Sequence, residues 1–397
     1  MNKLFIKIQS YASLLPFLFI WTYPSDLLTL DAGGTRIPFL FFITVFSVAI
    51  LLLNKIKLNI KQGYLISLLL WIIFSFVIST FLGFLFYDLE FKPVQLNLAL
   101  YSTFLILLYL YCKGEIKPII VAIFFGVFIS CLIGSYRYIF GTVGDDSELL
   151  LGYWGIRYTA STRNADVLYP IILFALTISF LSKSIPKFKV PLFAVLLFSV
   201  ILIVLSQSRS SWVCAAFVFL YFYQSCKRSY LKALPLIFIS LVALAFVVIE
   251  FNLITLDHLL FIFQSIFELK SSNVSNSNEA RINIIWGSIQ SILYNPLGYG
   301  LGNFSKVVNS LIDINSGRTY QHAENLFLTI CVEGGFFAMV FMGTYLFYAF
   351  KWVTNEGVKL MLIALTVYSF FNYEIYSIFY LMILLLPLKE VNNFNDT

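Results

Sequence analysis

The sequence predicts an all-α membrane protein that crosses the bilayer about 12 times and carries one large helical loop. Apolar residues make up 60% of the 397 residues, and only 12% are charged, half the share of about 25% in soluble domains. Apolar runs of span length recur along the whole chain. This composition excludes a soluble enzyme and a disordered chain. The basic residues are scattered and mostly lysine, so no nucleic-acid partner is predicted.

Apolar runs of about 17–25 residues mark the expected spans, because this length crosses the hydrocarbon core of a bilayer. The short turn 206–209 separates the seventh span from the eighth. Residues 1–22 hold Lys3, Lys7 and an apolar stretch, and no small-residue cleavage site follows, so we expect this stretch to be retained as the first span. The twelve expected spans are residues 5–23, 37–54, 64–86, 95–112, 118–140, 166–182, 189–206, 210–226, 233–250, 325–350, 357–372 and 374–388.

These spans divide the chain into three predicted regions. Residues 1–250 hold nine helices, residues 251–324 form a large outer loop, and residues 325–397 hold three helices and a C-terminal tail. Within the loop, residues 256–269 and 280–294 have apolar side chains at helical spacing and are expected to be amphipathic helices. The Ser/Asn-rich stretch between them is expected to be flexible. We expect the loop to form a helical cap on the outer membrane surface.

The charge of the loops orients the chain. With the N-terminus in the cytoplasm, the inner loops hold 16 basic and four acidic residues, whereas the outer side holds 10 basic and 16 acidic residues. Basic residues concentrate on the cytoplasmic side of membrane proteins. We therefore predict a multi-pass protein with both termini in the cytoplasm.

The arginines do not follow this preference of basic residues for the cytoplasmic side. Seven of the eight arginines lie on the predicted outer side, whereas the inner basic residues are 15 lysines and one arginine. Because the guanidinium is suited to bidentate phosphate contacts, this distribution favours an anionic ligand at the outer face. Ion pairs with the outer acidic residues are the alternative. The outer arginines are Arg36, Arg137, Arg157, Arg163, Arg209, Arg281 and Arg318.

The first candidate stretch is 206-SQSRSSW-212 at the outer end of a span. An ionisable residue such as Arg209 is costly in an apolar region, which indicates function; snorkelling to the interface is the alternative. Ser208 and the neighbouring serines are candidate hydroxyl donors to an anion, or else helix-packing residues.

The second stretch is 277-SNEARINIIW-286, which leads into 295-NPLGYGLGNF-304. Arg281 is expected in the first turn of an amphipathic helix, where N–H groups and the helix dipole also favour anions. A solvated Arg281, or its ion pair with Glu279, is the alternative to an anion site. The glycines permit a tight turn. Since they do not follow a strand, they are not a dinucleotide fingerprint.

The third stretch is 320-YQHAENLFLTICVEGGFFAMVF-341, which opens a span. His322 is a candidate general base near neutral pH, and Glu324 either orients it or is the base itself. Satisfaction of His322 by the backbone at the membrane edge is the alternative. Gly334 and Gly335 are expected to permit close helix packing. No acidic pair has metal-binding spacing, so no metal site is predicted.

In this order, the three stretches resemble the O-antigen ligase/polymerase superfamily of bacterial membrane glycosyltransferases. The resemblance rests on 206-SQSR-209, on 281-RINIIWGSIQSILYNPLGYGLGNF-304 and on 322-HAENLFLTICVEGG-335, and it covers about residues 200–345. It departs from the ligase pattern at one point, because Glu324 rather than histidine directly precedes Asn325. This departure makes Glu324 a rival to His322.

The resemblance implies transfer of a glycan from undecaprenyl pyrophosphate to an acceptor hydroxyl at the periplasmic face of the inner membrane, without metal, nucleotide or other cofactor. It implies that Arg209 and Arg281 bind the pyrophosphate and that His322 or Glu324 deprotonates the acceptor. Position and chemistry add further candidates for substrate binding. These are Arg157, Arg163, Ser208, Arg318 and Asn325.

Several functions remain open at this point. A polymerase, whose acceptor is a second lipid-linked repeat unit, is favoured over a ligase, whose acceptor is the lipid A core, because Glu-Asn is more polymerase-like and extra arginines suit two pyrophosphates. A flippase would place charges in mid-span, whereas the charges here lie at span ends. A non-catalytic envelope scaffold leaves the arginines unexplained. Expected partners are membrane lipid, a chain-length regulator and a flippase.

Overall fold

The computed structural model describes twelve stretches of the chain. They are residues 29–32, 35–38, 60–87, 116–140, 151–152, 155–156, 168–183, 186–206, 208–225, 275–311, 325–371 and 378–390. Four expected spans, at 5–23, 37–54, 95–112 and 233–250, lie wholly or almost wholly outside these residues, as does the expected helix 256–269.

Helices dominate the described part of the chain. They are α1 (Ile60–Tyr87), α2 (Ile116–Phe140), α3 (Leu168–Lys183), α4 (Pro186–Leu205), α5 (Arg209–Ser225), α6 (Ser275–Tyr294), α7 (Phe304–Leu311), α8 (Leu326–Trp352), α9 (Glu356–Ser369) and α10 (Ile378–Glu390). Eight of them match expected spans, and α6 matches the expected amphipathic helix of the loop.

Four of the described helices are long and apolar enough to cross a membrane. They are α1, the segment Ile119–Tyr136 of α2, the segment Phe188–Leu205 of α4, and α8. Two shorter apolar segments, Leu168–Ser182 and Ser210–Gln224, lie in α3 and α5. The chain is therefore a helical membrane protein, as the sequence predicted. The number of about 12 spans remains a prediction.

Two short hairpins depart from the all-α prediction. Strands β1 (Thr29–Ala32) and β2 (Thr35–Pro38) pair antiparallel, with Asp31 opposite Arg36. Strands β3 (Leu151–Gly152) and β4 (Gly155–Ile156) form a second pair. These segments are too short for a helical period to develop, and backbone pairing between the strands satisfies their polar groups instead. The expected span 37–54 overlaps the end of β2.

Two compact units divide the chain. The first comprises residues 1–15, 27–119 and 276–397, and its main contact joins α1 to α8. The two helices run antiparallel, because Tyr64 meets Tyr348 at one end and Trp71 stacks on Phe341 further along. The ring centroids are 5.0 and 5.7 Å apart. Helices α9 and α10 pack against each other beside this pair.

One end of the first unit gathers the start of α1, the end of α8 and the end of α10. Gln62 Nε2 donates to the Leu388 carbonyl at 2.9 Å. Glu390 Oε1 accepts from Thr354 N and Thr354 Oγ1, both at 2.7 Å, and also from Asn355 N. Asn355 in turn caps α9 by accepting from Gly357 N. These bonds fix the end opposite the candidate site.

The second unit comprises residues 16–26 and 120–275. Helix α3 packs against α4 and α5 and is buried along its length. Aromatic contacts join most of α2 to this group: Phe124 lies 5.1 Å from Phe180, and Phe128 lies 6.0 Å from Phe198. The turn that carries Ser208 and Arg209 connects α4 to α5 in this unit.

Candidate functional site

The structure describes four of the nine predicted site residues. Asn325 and Ser208 are described with their side chains, whereas Arg209 and Arg281 are described through their helix backbones alone. His322, Glu324, Arg157, Arg163 and Arg318 lie outside the described residues. The roles assigned to all nine remain predictions.

Arg281 does not occupy the first helical turn, as was expected. Helix α6 begins at Ser275, five residues before the predicted start, which places Arg281 in its second turn. The five added residues belong to the stretch that was expected to be flexible, and Glu279 is the strong helix former among them. The dipole effect falls off within the first turn, so the contribution of the helix start at Arg281 is smaller than predicted. Arg209, in contrast, is the first residue of α5.

Helix α8 is broken inside the span. Gly335 has φ 84° and ψ 171°, which interrupts the helix between its N-terminal third and the rest. A break frees backbone N–H and C=O groups, and in a membrane such groups must find partners within the protein. The sequence predicted one continuous span over residues 325–350, so the break was missed.

The loop 295–303, called the glycine loop below, supplies these partners. Tyr299 N donates to the Val332 carbonyl at 2.9 Å, and Gly300 N donates to the Glu333 carbonyl at 2.8 Å. In the reverse direction, Phe336 N donates to the Pro296 carbonyl at 2.8 Å. Three hydrogen bonds therefore join the glycine loop to the break, and the Arg281 helix is tied to a membrane span through the loop that follows it.

Glycine is required where the two backbones meet. Gly298 has φ 87°, and a Cβ at this position would lie 2.4 Å from Gly335 N. A Cβ at Gly335 would lie 2.6 Å from the Leu297 carbonyl oxygen. The expected close packing is confirmed at Gly334, where a Cβ would lie 2.8 Å from Phe76 Cε1 of α1. Glycine thus serves two purposes here, since Gly335 allows the break and Gly334 allows helix contact.

The glycine loop also contacts α1. Leu301 N donates to Thr80 Oγ1 at 3.2 Å, while Thr80 Oγ1 donates to the Phe76 carbonyl at 2.7 Å. The Tyr299 ring meets the Tyr87 ring edge-on, with centroids 5.0 Å apart. The loop is therefore held by two membrane helices at once. Thr80 was not a candidate in the sequence, where it is one hydroxyl within an apolar run.

Two asparagines stabilise the glycine loop from within. Asn295 Nδ2 donates to the Gly298 carbonyl at 2.7 Å, and Asn295 Oδ1 accepts from Leu297 N at 3.2 Å. Asn303 Nδ2 donates to the Tyr299 carbonyl at 3.1 Å. Both asparagines are buried. The loop is consequently a fixed structure in which side-chain amides replace helical hydrogen bonds.

Tyr299 anchors the loop to α6. Its hydroxyl donates to the Ser291 carbonyl at 3.3 Å. Burial, followed by the neighbouring Tyr87 and Tyr294, raises the pKa of this hydroxyl. It therefore stays protonated, and its ring joins a buried apolar cluster. The cluster consists of Ile284 of α6, Tyr299, Phe304, Val307 and Val308 of α7, and Val332 of α8.

Both the oxygen and the nitrogen of the Asn325 side-chain amide make hydrogen bonds within the protein. Its Oδ1 accepts from Leu328 N at 3.1 Å and caps α8, and its Nδ2 donates to the Phe370 carbonyl at 3.0 Å. Ser, Asp and Asn are preferred at this position because they satisfy an orphan N–H group. The geometry supports a structural role for Asn325, which fixes the start of α8 directly after His322 and Glu324.

The turn 206–211, called the serine turn below, belongs to the second unit. Ser206 Oγ donates to the Ile203 carbonyl at 2.6 Å, and the Ser208 and Ser210 hydroxyls lie 2.6 Å apart. Ser211 N donates to the Ser208 carbonyl at 3.1 Å and starts the first turn of α5. A helix start that carries Arg209 and several hydroxyls can bind an anion.

Glu333 is buried at the break in α8, with 3% of its surface exposed. A buried carboxyl group within a span is costly and indicates function or a specific polar neighbourhood. The sequence resemblance included this residue only as part of 333-EGG-335 and gave it no role. Its placement beside the glycine loop was unpredictable, because the break itself was not predicted.

Comparison with protein families finds a match over the segment that contains this arrangement. Residues 194–343 match the family model described as O-antigen ligase. This match supports the resemblance to the O-antigen ligase/polymerase superfamily. The matched segment contains the serine turn, α6, the glycine loop and the break in α8. A comparison with the curated proteins finds no match.

The matched family indicates the kind of chemistry to consider. Its members are glycosyltransferase-like enzymes, and their substrates are lipid-linked glycans. An enzyme of this kind needs a site that accepts both an anionic carrier lipid and a sugar. A tight glycine loop joined to a broken span provides a rigid frame for such a site.

Proposed function

We propose that this protein is an O-antigen polymerase of the bacterial inner membrane. It transfers a glycan from undecaprenyl pyrophosphate to a hydroxyl of another lipid-linked repeat unit at the periplasmic face. The observation that carries the proposal is the family match over residues 194–343, since this segment includes all three predicted stretches. The Glu324-Asn325 pair, in place of His-Asn, supports polymerase over ligase.

The reaction follows from the chemistry of the substrates. The acceptor hydroxyl attacks the anomeric carbon of the donor sugar, and the bond from that carbon to the pyrophosphate oxygen breaks. Undecaprenyl pyrophosphate leaves with the electron pair, while His322 or Glu324 takes the hydroxyl proton. Arg209 and Arg281 stabilise the charge that develops on the leaving group. The reaction needs no metal and no nucleotide.

Four of the remaining predicted residues serve binding, and the fifth, Asn325, positions α8. Arg157, Arg163 and Arg318 contact a second anionic headgroup or the glycan, which suits an enzyme that holds two lipid-linked molecules. Ser208 contributes a hydroxyl at the start of α5, beside Arg209. Asn325 holds α8 in the orientation that places His322 and Glu324 at the membrane edge.

The proposal includes the membrane topology. The chain crosses the inner membrane about 12 times with both termini in the cytoplasm, and residues 251–324 form the periplasmic loop. A flippase supplies the lipid-linked repeat units, and a chain-length regulator acts with the polymerase.

A ligase is the second candidate, and one observation favours it. The matching family model carries the description O-antigen ligase. In this case the acceptor is the lipid A core, while the donor, the two arginines and the base keep their roles.

Genetic complementation distinguishes the two. In a host that lacks the enzyme, single repeats on lipid A without a ladder indicate a polymerase, whereas long chains on the carrier without attachment to lipid A indicate a ligase. We expect the first pattern and its rescue by the wild-type chain. Arg209→Ala and Arg281→Ala should each reduce polymer formation by roughly 10²–10³-fold, the usual cost of removing one transition-state donor.

The matched control is Lys306→Ala, which removes an exposed cation of α7 outside the predicted site. It should rescue the ladder fully at equal expression. If both arginine variants also rescue fully, the assignment of the pyrophosphate site is wrong. If the wild type restores lipid A attachment of long chains instead, the protein is the ligase.

A further inference from the structure

Tyr299 of the glycine loop contacts three different helices. Its N–H donates to the Val332 carbonyl of α8 at 2.9 Å, and its hydroxyl donates to the Ser291 carbonyl of α6 at 3.3 Å. Its ring meets the Tyr87 ring of α1, with the centroids 5.0 Å apart. Asn303 Nδ2 donates to the Tyr299 carbonyl at 3.1 Å. The amide, carbonyl, hydroxyl and ring of this one residue are therefore all held by the protein.

Two of these contacts reach the helices next to the proposed reaction groups. Helix α6 carries Arg281, the proposed pyrophosphate ligand, in its second turn. Helix α8 begins directly after the proposed bases, His322 and Glu324, and Val332 is its seventh residue. Tyr299 thus connects the helix of the pyrophosphate ligand to the helix that follows the base.

A buried cluster stiffens this connection. It contains Tyr299 together with Ile284 of α6 and Val332 of α8. Ile284 lies three residues after Arg281 in the chain. Because closely packed side chains leave few voids and transmit strain, a displacement of Tyr299 would be passed to both helices. The relative placement of α6 and the first two turns of α8 consequently depends on this residue.

The hydroxyl of Tyr299 can be removed without leaving a buried group unsatisfied. The Ser291 carbonyl also accepts from Asn295 N at 2.9 Å, which closes the last turn of α6. Most of the cost of a lost hydrogen bond comes from the partner that is left unpaired. Tyr299→Phe also keeps the ring that contacts Tyr87. This substitution therefore releases α6 from the loop side chain while the fold stays intact.

We propose that Tyr299 is a positioning residue of the glycosyl transfer, which sets the placement of Arg281 relative to the base before α8. The transfer requires the acceptor oxygen and the anomeric carbon to meet at about 3–3.5 Å, and a misplacement of about 1 Å can lower the rate by about 10²-fold. The arginine and the base lie about forty residues apart in the chain, so tertiary contacts must set their distance. In this role Tyr299 acts through α6 and α8 and touches no substrate. The proposal rests on the proposed function and deepens it.

The kinetics of the purified full-length protein test the proposal. The substrate is an undecaprenyl-pyrophosphate-linked repeat unit, and rates are divided by the folded fraction of the protein. Tyr299→Phe should lower kcat roughly tenfold, with KM unchanged within about twofold and the thermal midpoint unchanged within about 2 °C. The matched control is Tyr294→Phe, because Tyr294 ends the same helix and is 73% exposed; it should keep the wild-type kcat. An unchanged kcat in Tyr299→Phe, or an equal fall in the control, would overturn the proposal.

Hydrogen–deuterium exchange of the same samples measures the connection without turnover, because local opening raises exchange in the affected segment. Tyr299→Phe should raise exchange in α6 and in the first two turns of α8 and leave α10 unchanged, whereas Tyr294→Phe should change none of them. Wild-type exchange in Tyr299→Phe would contradict the proposal. If the wild-type protein shows no turnover of the lipid-linked repeat unit, with or without a lipid A core as acceptor, the proposed function is wrong. The exchange result then decides separately whether Tyr299 joins α6 to α8.

Discussion

The apolar helices are interrupted at two places, the serine turn between α4 and α5 and the break in α8. The two interruptions find hydrogen-bond partners for their backbone groups in different ways. Each leaves backbone groups without helical partners in an apolar region. In the serine turn, residues nearby in the sequence supply the missing hydrogen-bond partners. For example, Ser206 Oγ donates to the Ile203 carbonyl. In the break, the partners come from the glycine loop, more than thirty residues earlier in the chain.

The difference shows how a site gains rigidity. A local turn needs only small polar residues at the right positions, and it keeps hydroxyls and N–H groups available at a helix start. A break that is closed by a distant loop fixes two parts of the chain to each other, since neither segment can satisfy its backbone alone. The first arrangement suits ligand contact, and the second suits positioning.

The largest expected effect on stability comes from Gly298→Ala, which alters the contact between the glycine loop and the break in α8. The new Cβ would lie 2.4 Å from Gly335 N at a residue with φ 87°. We expect a loss of roughly 2–5 kcal/mol in stability from the strained backbone and the clash. Thermal unfolding of the purified protein in detergent measures this loss of stability.

Gly343→Ala is the matched control for this experiment. Gly343 lies in the same helix, α8, and a Cβ there meets nothing within 4 Å. Alanine should be neutral or stabilising by up to about 1 kcal/mol, because it favours helix. Equal melting temperatures for the two variants would show that the glycine loop does not close the break.

A smaller effect is expected from Thr80→Val, which removes the hydroxyl that accepts from Leu301 N. Leaving that N–H unsatisfied costs about 1–2 kcal/mol. Thr344→Val is the control, since Thr344 Oγ1 makes the same bond to a carbonyl four residues earlier, at an exposed position. A larger loss in the Thr344 variant than in the Thr80 variant would argue against a loop held by α1. The measurement is again the thermal midpoint.

The smallest effect concerns the serine turn. Ser211 is fully buried, and its hydroxyl has no hydrogen-bond partner among the described residues. Ser211→Ala should therefore raise stability by up to about 1 kcal/mol and leave the glycan ladder intact. Ser208→Ala serves as the comparison because its hydroxyl pairs with Ser210. Loss of polymer in the Ser211 variant alone would instead place that hydroxyl in the substrate site.

The sequence predicted the elements of this protein better than their connections. Apolar length predicted eight of the ten described helices, and the polar residues of 206-SQSR-209 marked the turn between α4 and α5 within one residue. The short helix α7 was not predicted. The start of α6 was misplaced by five residues, which moved Arg281 out of the first turn. The two hairpins were missed, because strands of two to four residues leave almost no periodicity.

By itself, the sequence determined that the chain is a helical membrane protein and indicated the resemblance to this superfamily, because span length, composition and short motifs are local properties. Only the tertiary structure decided that α8 is broken at Gly335, that Thr80 holds the glycine loop, and that α6 leaves apolar side chains such as Trp286 exposed. A glycine pair inside an apolar run is compatible with either a straight or a broken helix. Whether the helix breaks depends on whether a distant segment of backbone can supply the missing hydrogen bonds. A local sequence pattern does not contain this information.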